Sequence, residues 1–497
     1  MDASSVSKRV ESAVLYMLVV TSGIYFFSPP VADNDLWGHI AFGREILQSR
    51  ALPILNRYSY TEPMHPWINH EFAAECLFAL LYDRLGAPAL LALKVAAGLI
   101  TLGIVAWTVR LRTRAVLAGS LALVATASMM SFGYMVRPQI FTFLALALLW
   151  NRLQACAAGG ENQRLWLLPL LFVLWINSHG GVMAGMAVLL AFTALTIAAR
   201  EPVPRGALVA TAVASATALL CNPYGIFLPL FLVEDLHRVR PISEWAPIAL
   251  SDVSNLHFKL AVAMLVVGMF IGSRRLWEIA ILACTGLATF RHQRHLPLFA
   301  ILAAPALAEA IEHCGMRLAT RMTSLQLSAA GVGTIAVAGT ILASYQLATV
   351  IDIYRSLRGQ IFVAPNEFPV SAVRFIRDRG LRGNLALPFD WGEYAIWHLY
   401  PRSRVSVDGR YSTAYSDELL ASGFAFREGG SGWDRFLPDA DLTLVYRDDP
   451  VASLLLERPE WQCVYADTTA MVFVRGVGSA TCAPSSTDAS RTISLFP

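Results

Sequence analysis

Long apolar runs recur through the first 350 residues of the chain, and they restrict its fold more than any other feature. A helix needs about 20 such residues to cross the hydrocarbon core of a bilayer. The runs therefore predict a polytopic α-helical membrane protein of about eleven spans, in which the shorter helices are tilted, broken or only partly exposed to lipid. They lie at about 12–28, 87–109, 115–135, 138–151, 165–178, 181–199, 207–221, 258–273, 276–290, 296–312 and 326–350.

The composition supports this fold class. Only 15% of the 497 residues are charged and 56% are hydrophobic, whereas a soluble domain is about 25% charged. A disordered chain, a nucleic-acid binder and an ordinary cytosolic enzyme are therefore excluded. The seven cysteines include no C-x-x-C pair, so no zinc site is indicated. Cys463 and Cys482 either form a disulfide, if the tail faces an oxidising compartment, or remain free thiols.

Basic residues in every second loop predict the orientation. Loops rich in Arg and Lys stay on the cytoplasmic side. The alternation places the N-terminus in the cytoplasm, with the first run as a retained signal-anchor, and it places residues 30–86 and the tail from about 352 outside. The protein is thus predicted to be a multi-pass membrane protein with an extracytoplasmic C-terminal domain. The basic loops contain Arg110, Arg112 and Arg114, then Arg152 and Arg164, Arg200 and Arg205, Arg274 and Arg275, and Arg317 and Arg321.

The chain becomes more polar near residue 350, which predicts its division. We expect a membrane domain at 1–350 with its first outer loop at 30–86, a small extracytoplasmic α/β domain at 351–476, and a disordered tail at 477–497, rich in Ser, Thr and Ala. Short apolar runs between turns predict four strands in the α/β domain, and two helices are also predicted there. The strands are at 384–387, 404–407, 442–446 and 471–474, and the helices at 370–379 and 451–456.

The first outer loop carries the densest polar chemistry. Asp35 and His39 are four residues apart, so they share one face if a helix begins near Asp33. Asp and Asn are also ordinary N-caps, so one of Asp33, Asn34 and Asp35 could do no more than cap. A carboxylate partly withdrawn from water has a raised pKa and can act as a base. Asp33 and Asp35 could instead bind a divalent cation such as Mg²⁺ or Mn²⁺ together with His39. A second helix opens at Asn69-His70-Glu71.

Two groups of basic residues are predicted at the outer ends of spans, against the charge rule. They are Arg137 and the stretch from Arg291 to His295. Either they bind an anionic partner, or they reach toward lipid phosphates. Arg294 and His295 precede Pro297, which suits the first turn of a helix, and a helix N-terminus favours an anion.

Other outer segments leave two interpretations open. His179 lies in Asn177-Ser178-His179-Gly180-Gly181, where it either satisfies carbonyls exposed by a helix break or contacts a ligand. Glu244-Trp245 either binds a sugar by stacking or places Trp245 at the membrane interface.

These motifs together resemble the GT-C superfamily of membrane glycosyltransferases. The nearest resemblance is to a large bacterial group related to the protein O-mannosyltransferases and the lipid A aminoarabinose transferases. This resemblance implies a location in the bacterial inner (plasma) membrane. Gly38 stands where that group has a second aromatic residue, and Phe72 where it has Trp. The matching segments are Asp33 to His39, Gly43 to Ile46, Arg57 to Thr61, Asn69 to Phe72, Arg137 to Gln139, Trp175 to Gly180, Asn222 to Gly225, Glu244-Trp245, Arg294 to Pro297, Asp390 to Tyr394 and Val407 to Arg410.

The resemblance implies a reaction. A carboxylate on the outer face removes the proton of an acceptor hydroxyl, the hydroxyl attacks the anomeric carbon with inversion, and polyprenyl phosphate leaves. Asp35 is favoured as this base because it shares a face with His39, and Asp33 is the alternative. The acceptor is a lipid, a glycan or a protein.

The remaining site residues are expected in two groups. Donor phosphate is assigned to Arg294 first, then His295, Arg291 and Arg137. Sugar or acceptor contacts are assigned to His39, His70, Glu71, His179, Glu244 and Trp245.

Two other functions compete with glycosyl transfer. The same charges could line the path of a transporter or flippase of lipid-linked glycans, although no inverted repeat is evident and few charges lie within spans. A non-catalytic envelope-assembly protein could also retain this fold.

Overall fold

The structure is a computed structural model that describes residues 3–159, 164–236, 238, 242–251, 253–270, 275–321, 329–476 and 494–497. Eighteen α-helices lie in these residues. They are α1 (Ala3–Phe27), α2 (Leu36–Ser49), α3 (Phe72–Leu85), α4 (Ala87–Arg110), α5 (Val116–Met130), α6 (Gln139–Ala157), α7 (Leu168–Ile176), α8 (Val182–Ala198), α9 (Arg205–Ala218), α10 (Phe227–Asp235), α11 (Leu256–Met269), α12 (Leu276–Arg291), α13 (Leu296–Arg321), α14 (Ala329–Ser356), α15 (Val370–Asp378), α16 (Gly392–Leu399), α17 (Asp417–Glu428) and α18 (Pro450–Leu456).

The chain forms two compact units. The helical unit comprises residues 1–29 and 91–358, and the mixed unit comprises residues 30–90 and 359–497. This division differs from the predicted one mainly at residues 30–86. They were expected as the first outer loop of the membrane domain but belong to the same unit as the tail, and the boundary predicted near residue 350 lies at 358/359.

Each predicted apolar run overlaps a helix of the described chain, while residues 271–273 and 326–328 of two runs lie outside the described residues. Five helical segments are long and apolar enough to cross a membrane, namely Arg9–Phe27, Ala87–Arg110, Gln139–Ala157, Gln293–Arg317 and Ala336–Ser356. Four further apolar helices are shorter, at Val116–Met130, Leu165–Ile176, Val182–Ala198 and Leu256–Met269. The fold is therefore that of a polytopic helical protein, and the count of eleven spans stays a prediction.

Close helix packing holds the helical unit together. Helix α1 packs on α14 and α5, and α13 packs on α5 and α11. Thr21 of α1 donates a hydrogen bond to Gln346 of α14 at 3.0 Å, and Gln346 donates one to Ser22 at 3.0 Å. Polar side chains that pair across helices stabilise their association where no water competes.

The mixed unit is built on a five-stranded sheet in the order β3-β2-β4-β6-β5. Strand β2 runs parallel to β3 and β4, while β6 runs antiparallel to β4 and β5. A separate pair joins β1 to β7. The strands are β1 (Phe362–Val363), β2 (Gly383–Ala386), β3 (Ser403–Val405), β4 (Leu442–Tyr446), β5 (Trp461–Ala466), β6 (Ala470–Arg475) and β7 (Ser494–Leu495).

The four predicted strands of this unit are present as β2, β3, β4 and β6, and the two predicted helices as α15 and α18. The sequence did not predict β5, α16 or α17. Helix α16 is apolar on most of its circumference because it is largely buried, so it lacks the one-sided pattern that predicts a surface helix.

Backbone hydrogen bonds explain why residues 30–90 join the tail. Ala32 donates to Phe362 at 2.8 Å, Val405 donates to Tyr58 at 3.0 Å, and Ile68 donates to Thr413 at 2.9 Å. The first outer loop thus forms part of its backbone hydrogen bonds with the tail, because buried N–H and C=O groups need partners.

The end of the chain corrects one prediction. Residues 477–493 lie outside the described residues, but residues 494–497, also predicted to be disordered, are ordered. Strand β7 pairs with β1, and the buried Phe496 ring lies 5.4 Å from Trp37 and 5.2 Å from Tyr82. An aromatic side chain at this position is anchored by apolar burial, which composition alone did not indicate.

The structure describes one of the two cysteines predicted either to form a disulfide or to remain free. Cys463 is disulfide-bonded. Cys482 lies outside the described residues, so the pair itself is not described.

Candidate functional site

The aspartates of the first loop have different roles at the start of α2. Asp33 Oδ1 accepts a hydrogen bond from the Asp35 backbone N–H at 3.1 Å, which closes a turn. Asp35 occupies the N-cap position of α2, but its side chain makes no capping hydrogen bond to the helix.

Helices α2 and α3 approach closely because Gly43 has no side chain. A Cβ atom on Gly43 would overlap the backbone carbonyl of Glu75. His39 lies one turn before Gly43, so this approach brings its ring to the carboxylates of α3. The glycine of the first-loop motif is thus a packing requirement for the cluster described next.

His39, Glu71 and Glu75 form what we call the histidine cluster. His39 Nδ1 lies 3.4 Å from Glu75 Oε1 and 4.0 Å from Glu71 Oε2. Asn69 donates to the other oxygen of Glu75 at 2.6 Å. His70 Nε2 lies 3.7 Å from Glu71 Oε1.

Burial and charge shift the pKa values in this cluster. Burial alone would lower the pKa of His39, but the Glu75 and Glu71 carboxylates outweigh it and raise the pKa. Burial raises the pKa of Glu75, against the opposing effect of His39. Removing either partner would leave a buried charge without compensation.

The histidine cluster has the donor types for a divalent cation. One ligand atom from each of its three residues lies within 4.8 Å of the others, and it is the one such group found among the described residues. Imidazole nitrogen with carboxylate oxygens suits Zn²⁺, Mn²⁺ or Fe²⁺. This set shares only His39 with the predicted set of Asp33, Asp35 and His39. The difference arises because Asp33 is used in a turn, while Asp35 lies against the tail.

Two tail motifs meet at one edge of the sheet. Strands β2 and β3 are parallel neighbours, so their carboxyl ends lie together. The chain after β2 enters α16 with Glu393, and the chain after β3 forms the loop that carries Asp408 and Gly409. Gly392 permits this contact, since a Cβ atom there would overlap the Val407 carbonyl and lie 2.5 Å from Asp408 Cα.

Arg410 is buried in the second of these motifs. It donates to both oxygens of Asp408, at 2.8 and 2.7 Å, and to Asn56 Oδ1 at 2.6 Å. Its guanidinium carbon lies 4.5 Å from the Trp67 ring and 5.0 Å from the Phe42 ring. This enclosure by first-loop aromatics explains why Arg410 serves to join the loop to the tail.

Asp35 and Glu393 form a carboxyl pair over Gly409. A Cβ atom on Gly409 would lie 2.6 Å from Asp35 Oδ1 and 3.0 Å from Glu393 Oε1, and one on Gly38 would overlap Glu393 Oε2. Burial, and secondly the charge of Asp35, raise the pKa of Glu393 well above its usual range. This contact explains why Gly38 replaces the second aromatic residue of the related group, because an aromatic side chain at this position would displace Glu393.

Glu393 is a site residue that the sequence did not single out. Its motif, Asp390 to Tyr394, is among the segments that carry the family resemblance, but no role is assigned to Glu393 there. The available signal is that Asp390 to Tyr394 and Val407 to Arg410 follow the strands predicted at 384–387 and 404–407, so the two motifs lie at one edge if those strands are parallel and adjacent. The contact with Asp35 depends on strand order, which local sequence does not specify.

The helical unit gathers several of the predicted phosphate and sugar residues. Arg137 donates to Glu244 at 2.8 Å, and the Arg294 guanidinium carbon lies 4.7 Å from the Trp245 ring. We call Arg137, Glu244, Trp245 and Arg294 the arginine–tryptophan cluster. The Gln293 backbone donates to Ala246 at 3.1 Å, which fixes the approach of the two segments.

The other predicted residues of this unit have distinct surroundings. The His295 ring lies 6.1 Å from that of His292, and Arg291 is exposed. His179 Nδ1 accepts a hydrogen bond from the Gly181 backbone at 2.9 Å and lies 2.8 Å from Thr142 Oγ1. These contacts favour the structural interpretation of His179, in which the ring satisfies groups at a helix break.

The fold is similar to those of two solved structures, each 13% identical to this chain. The crystal structure of the apo oligosaccharyltransferase of Archaeoglobus fulgidus matches with a TM-score of 0.59 at 13% identity, over 88% of this chain and 69% of that one. The apo ArnT of Cupriavidus metallidurans matches with a TM-score of 0.54 at 13% identity, over 96% of this chain and 100% of that one. No protein-family model and no curated protein sequence matches the chain.

Proposed function

We propose that the protein is a membrane glycosyltransferase that moves a sugar from polyprenyl phosphate to an acceptor hydroxyl on the extracytoplasmic side, with inversion. The observation that carries this proposal is the pair of aspartates, Asp33 and Asp35, at the start of α2. Asp33 accepts the backbone hydrogen bond that closes a turn, and the Asp35 carboxylate lies against Gly409 of the tail. Strained or costly arrangements of like groups are commonly kept for function.

Asp35 is the proposed base. It takes the proton of the acceptor hydroxyl as the new bond to the anomeric carbon forms, and the bond to phosphate oxygen breaks with its electron pair on the leaving phosphate. A general base of this kind contributes about 10²- to 10⁴-fold to a rate. Phosphate is already a good leaving group, so the protein has only to stabilise its charge.

Arg294, His295, Arg291 and Arg137 are proposed to bind the donor phosphate. Arginine offers a planar fork that suits phosphate oxygens. Sugar or acceptor contacts are proposed for His39, His70, Glu71, Glu244 and Trp245. The Trp245 ring is already paired with the Arg294 guanidinium, which favours stacking on a sugar face beside a phosphate.

A divalent cation is proposed for the histidine cluster. His39, Glu71 and Glu75 would hold it, and it would supply positive charge for a phosphate or orient a hydroxyl. The donor atoms lie within a span suited to one ion.

The test measures the release of undecaprenyl phosphate. Full-length protein in proteoliposomes receives undecaprenyl phosphate bearing radiolabelled glucose, mannose or aminoarabinose, with bacterial envelope lipids and glycans as acceptors. We expect one donor to be consumed by the wild type, and Asp35→Asn to bind this donor but not consume it. Donor movement across the bilayer without release would instead establish a flippase, and equal release by Asp35→Asn would disprove the assigned chemistry.

A further inference from the structure

A carboxyl group of the tail lies beside the proposed base, and the function proposed above gives it no role. Asp35 comes from the loop after α1 and Glu393 from the first turn of α16, 358 residues later. Both reach Gly409, where a Cβ atom would lie 2.6 Å from Asp35 Oδ1 and 3.0 Å from Glu393 Oε1. The two carboxyl groups therefore occupy adjacent positions over Gly409, which has no side chain to separate them.

The surroundings of Glu393 do not explain it as a structural residue. The side chain is buried, with a relative exposure of 4%, and its Oε2 has no hydrogen-bond partner among the described residues. A buried polar atom without a partner lowers the stability of the fold. Native proteins keep such groups mainly where they serve catalysis or binding.

Three close approaches hold Glu393 at this costly position. Gly392 lets the start of α16 lie against Val407 and Asp408, Gly38 leaves space for Glu393 Oε2, and Gly409 leaves space for both carboxyl groups. A side chain at any of these glycines would push Glu393 or Asp35 away. The chain is therefore shaped to keep Glu393 beside Asp35.

We propose that Glu393 is a positioning residue for Asp35, which holds the Asp35 carboxylate in one orientation over Gly409 and excludes water from that side. This inference rests on the proposed function. Glu393 exchanges no proton in the reaction: the acceptor hydroxyl gives its proton to Asp35, and the phosphate leaves with the electron pair of the broken bond. An uncharged group of the same shape should therefore serve partly in its place.

The test compares four variants of the full-length protein in the undecaprenyl phosphate release assay, with the donor that the wild type consumes. Glu393→Met keeps the volume but removes both oxygens, and we expect kcat to fall at least tenfold with the donor KM changed less than threefold. Glu393→Gln keeps a polar group of the same shape, and we expect it to recover most of that loss. Gly409→Ala should lower kcat as Glu393→Met does, because its Cβ would displace the Asp35 carboxylate.

The matched control is Gly430→Ala. A Cβ atom there would meet only Ala425, at 3.9 Å, so we expect wild-type kcat. A second measurement separates positioning from folding. Because Glu393 Oε2 has no partner, Glu393→Met should unfold at the wild-type temperature or above it.

Each outcome decides one point. Glu393→Met with kcat within twofold of the wild type would overturn the positioning role, and so would a lowered unfolding temperature that accounts for its lost activity. Failure of the proposed function gives a different result: the wild type consumes no donor, or Asp35→Asn consumes the donor as fast as the wild type does. The unfolding temperatures of the variants then decide whether Glu393 is a structural residue.

Discussion

The proposed base in the mixed unit and the proposed phosphate-binding residues in the helical unit have opposite surroundings. In the mixed unit, Asp35 and Glu393 lie together although they would repel each other if both were ionised. In the helical unit, Arg137 is paired with Glu244 at 2.8 Å, and Arg294 lies over Trp245. The first arrangement costs stability, whereas the second compensates each cation locally.

Because of this difference, the evidence for Asp35 as the base is stronger than the evidence for the phosphate-binding arginines. A carboxyl pair that needs glycines at 38, 392 and 409 is hard to explain by stability alone. A cation paired with a carboxylate or an aromatic ring is a common structural contact. The mixed unit therefore carries the stronger evidence for chemistry, and the arginine–tryptophan cluster must show its role through donor binding.

The largest expected effect is at Asp35. Asp35→Asn should lower kcat by about 10²- to 10⁴-fold, because it removes a general base. Asp33→Asn is the matched control, since an amide oxygen can still accept the hydrogen bond from the Asp35 backbone. We expect Asp33→Asn to retain kcat within a few-fold in the release assay. The reverse order would assign the base to Asp33.

The second effect concerns stability at Arg410. Arg410→Ala leaves Asp408 buried without its partner, and we expect a loss of about 3–5 kcal/mol in the free energy of unfolding. Glu244→Gln is the comparison in the helical unit, where a partly exposed pair should contribute about 1 kcal/mol or less. Chemical denaturation of the purified protein measures both. If Arg410→Ala and Glu244→Gln lost the same free energy of unfolding, the buried pair would be no more important for stability than the partly exposed one.

The third effect tests the histidine cluster. Mn²⁺ or Zn²⁺ at 100 times its Kd should stabilise the wild type by about 2.7 kcal/mol, seen as a rise in unfolding temperature. Glu75→Gln removes one ligand and should abolish most of this rise. A rise of the same size in Glu75→Gln would place the cation elsewhere.

The fourth effect tests donor binding at Arg294. Arg294→Ala should raise the donor KM about tenfold, which corresponds to about 1.4 kcal/mol, and should change kcat less. Arg291→Ala, at an exposed position, is expected to have a smaller effect. If kcat fell and KM did not change, Arg294 would act in the transition state rather than in binding.

The smallest effect is a pH dependence at Glu393. Its pKa is raised in the folded protein by burial and by Asp35, so the folded state holds a proton that the unfolded state loses above the usual glutamate value of 4.5. Stability should therefore decrease as pH rises above that value, by at most about 1.4 kcal/mol per pH unit. The unfolding temperature of the wild type should thus fall relative to that of Glu393→Gln. If the difference in unfolding temperature between the wild type and Glu393→Gln were constant between pH 5 and 8, the raised pKa of Glu393 would be contradicted.

Much of the fold followed from local sequence. Every predicted apolar run overlaps a helix in the described part of the chain, and four strands of the mixed unit lie where short apolar runs between turns predicted them. Such features are readable because each depends on a short stretch of residues and its own periodicity. Strand β5 and helices α16 and α17 were not predicted. Helix α16 is buried on most of its circumference, so its sequence lacks the one-sided pattern of a surface helix.

The candidate site was predicted less completely. Asp35 and His39 were found because they lie four residues apart on one helix. Glu71 was named, but its union with His39 and Glu75 depends on the approach of α2 and α3 at Gly43. Glu393 was missed because its contact with Asp35 depends on strand order and on the glycines at 38, 392 and 409.

The sequence by itself determined that this chain forms apolar helices fit for a membrane, a sheet in its tail, and an acidic motif after the first helix, because each is encoded by neighbouring residues. Only the tertiary structure decided that residues 30–90 fold with the tail and that Glu393 lies beside Asp35. These contacts join residues hundreds of positions apart, and they exist because glycines let backbone and carboxyl groups approach where any side chain would prevent it.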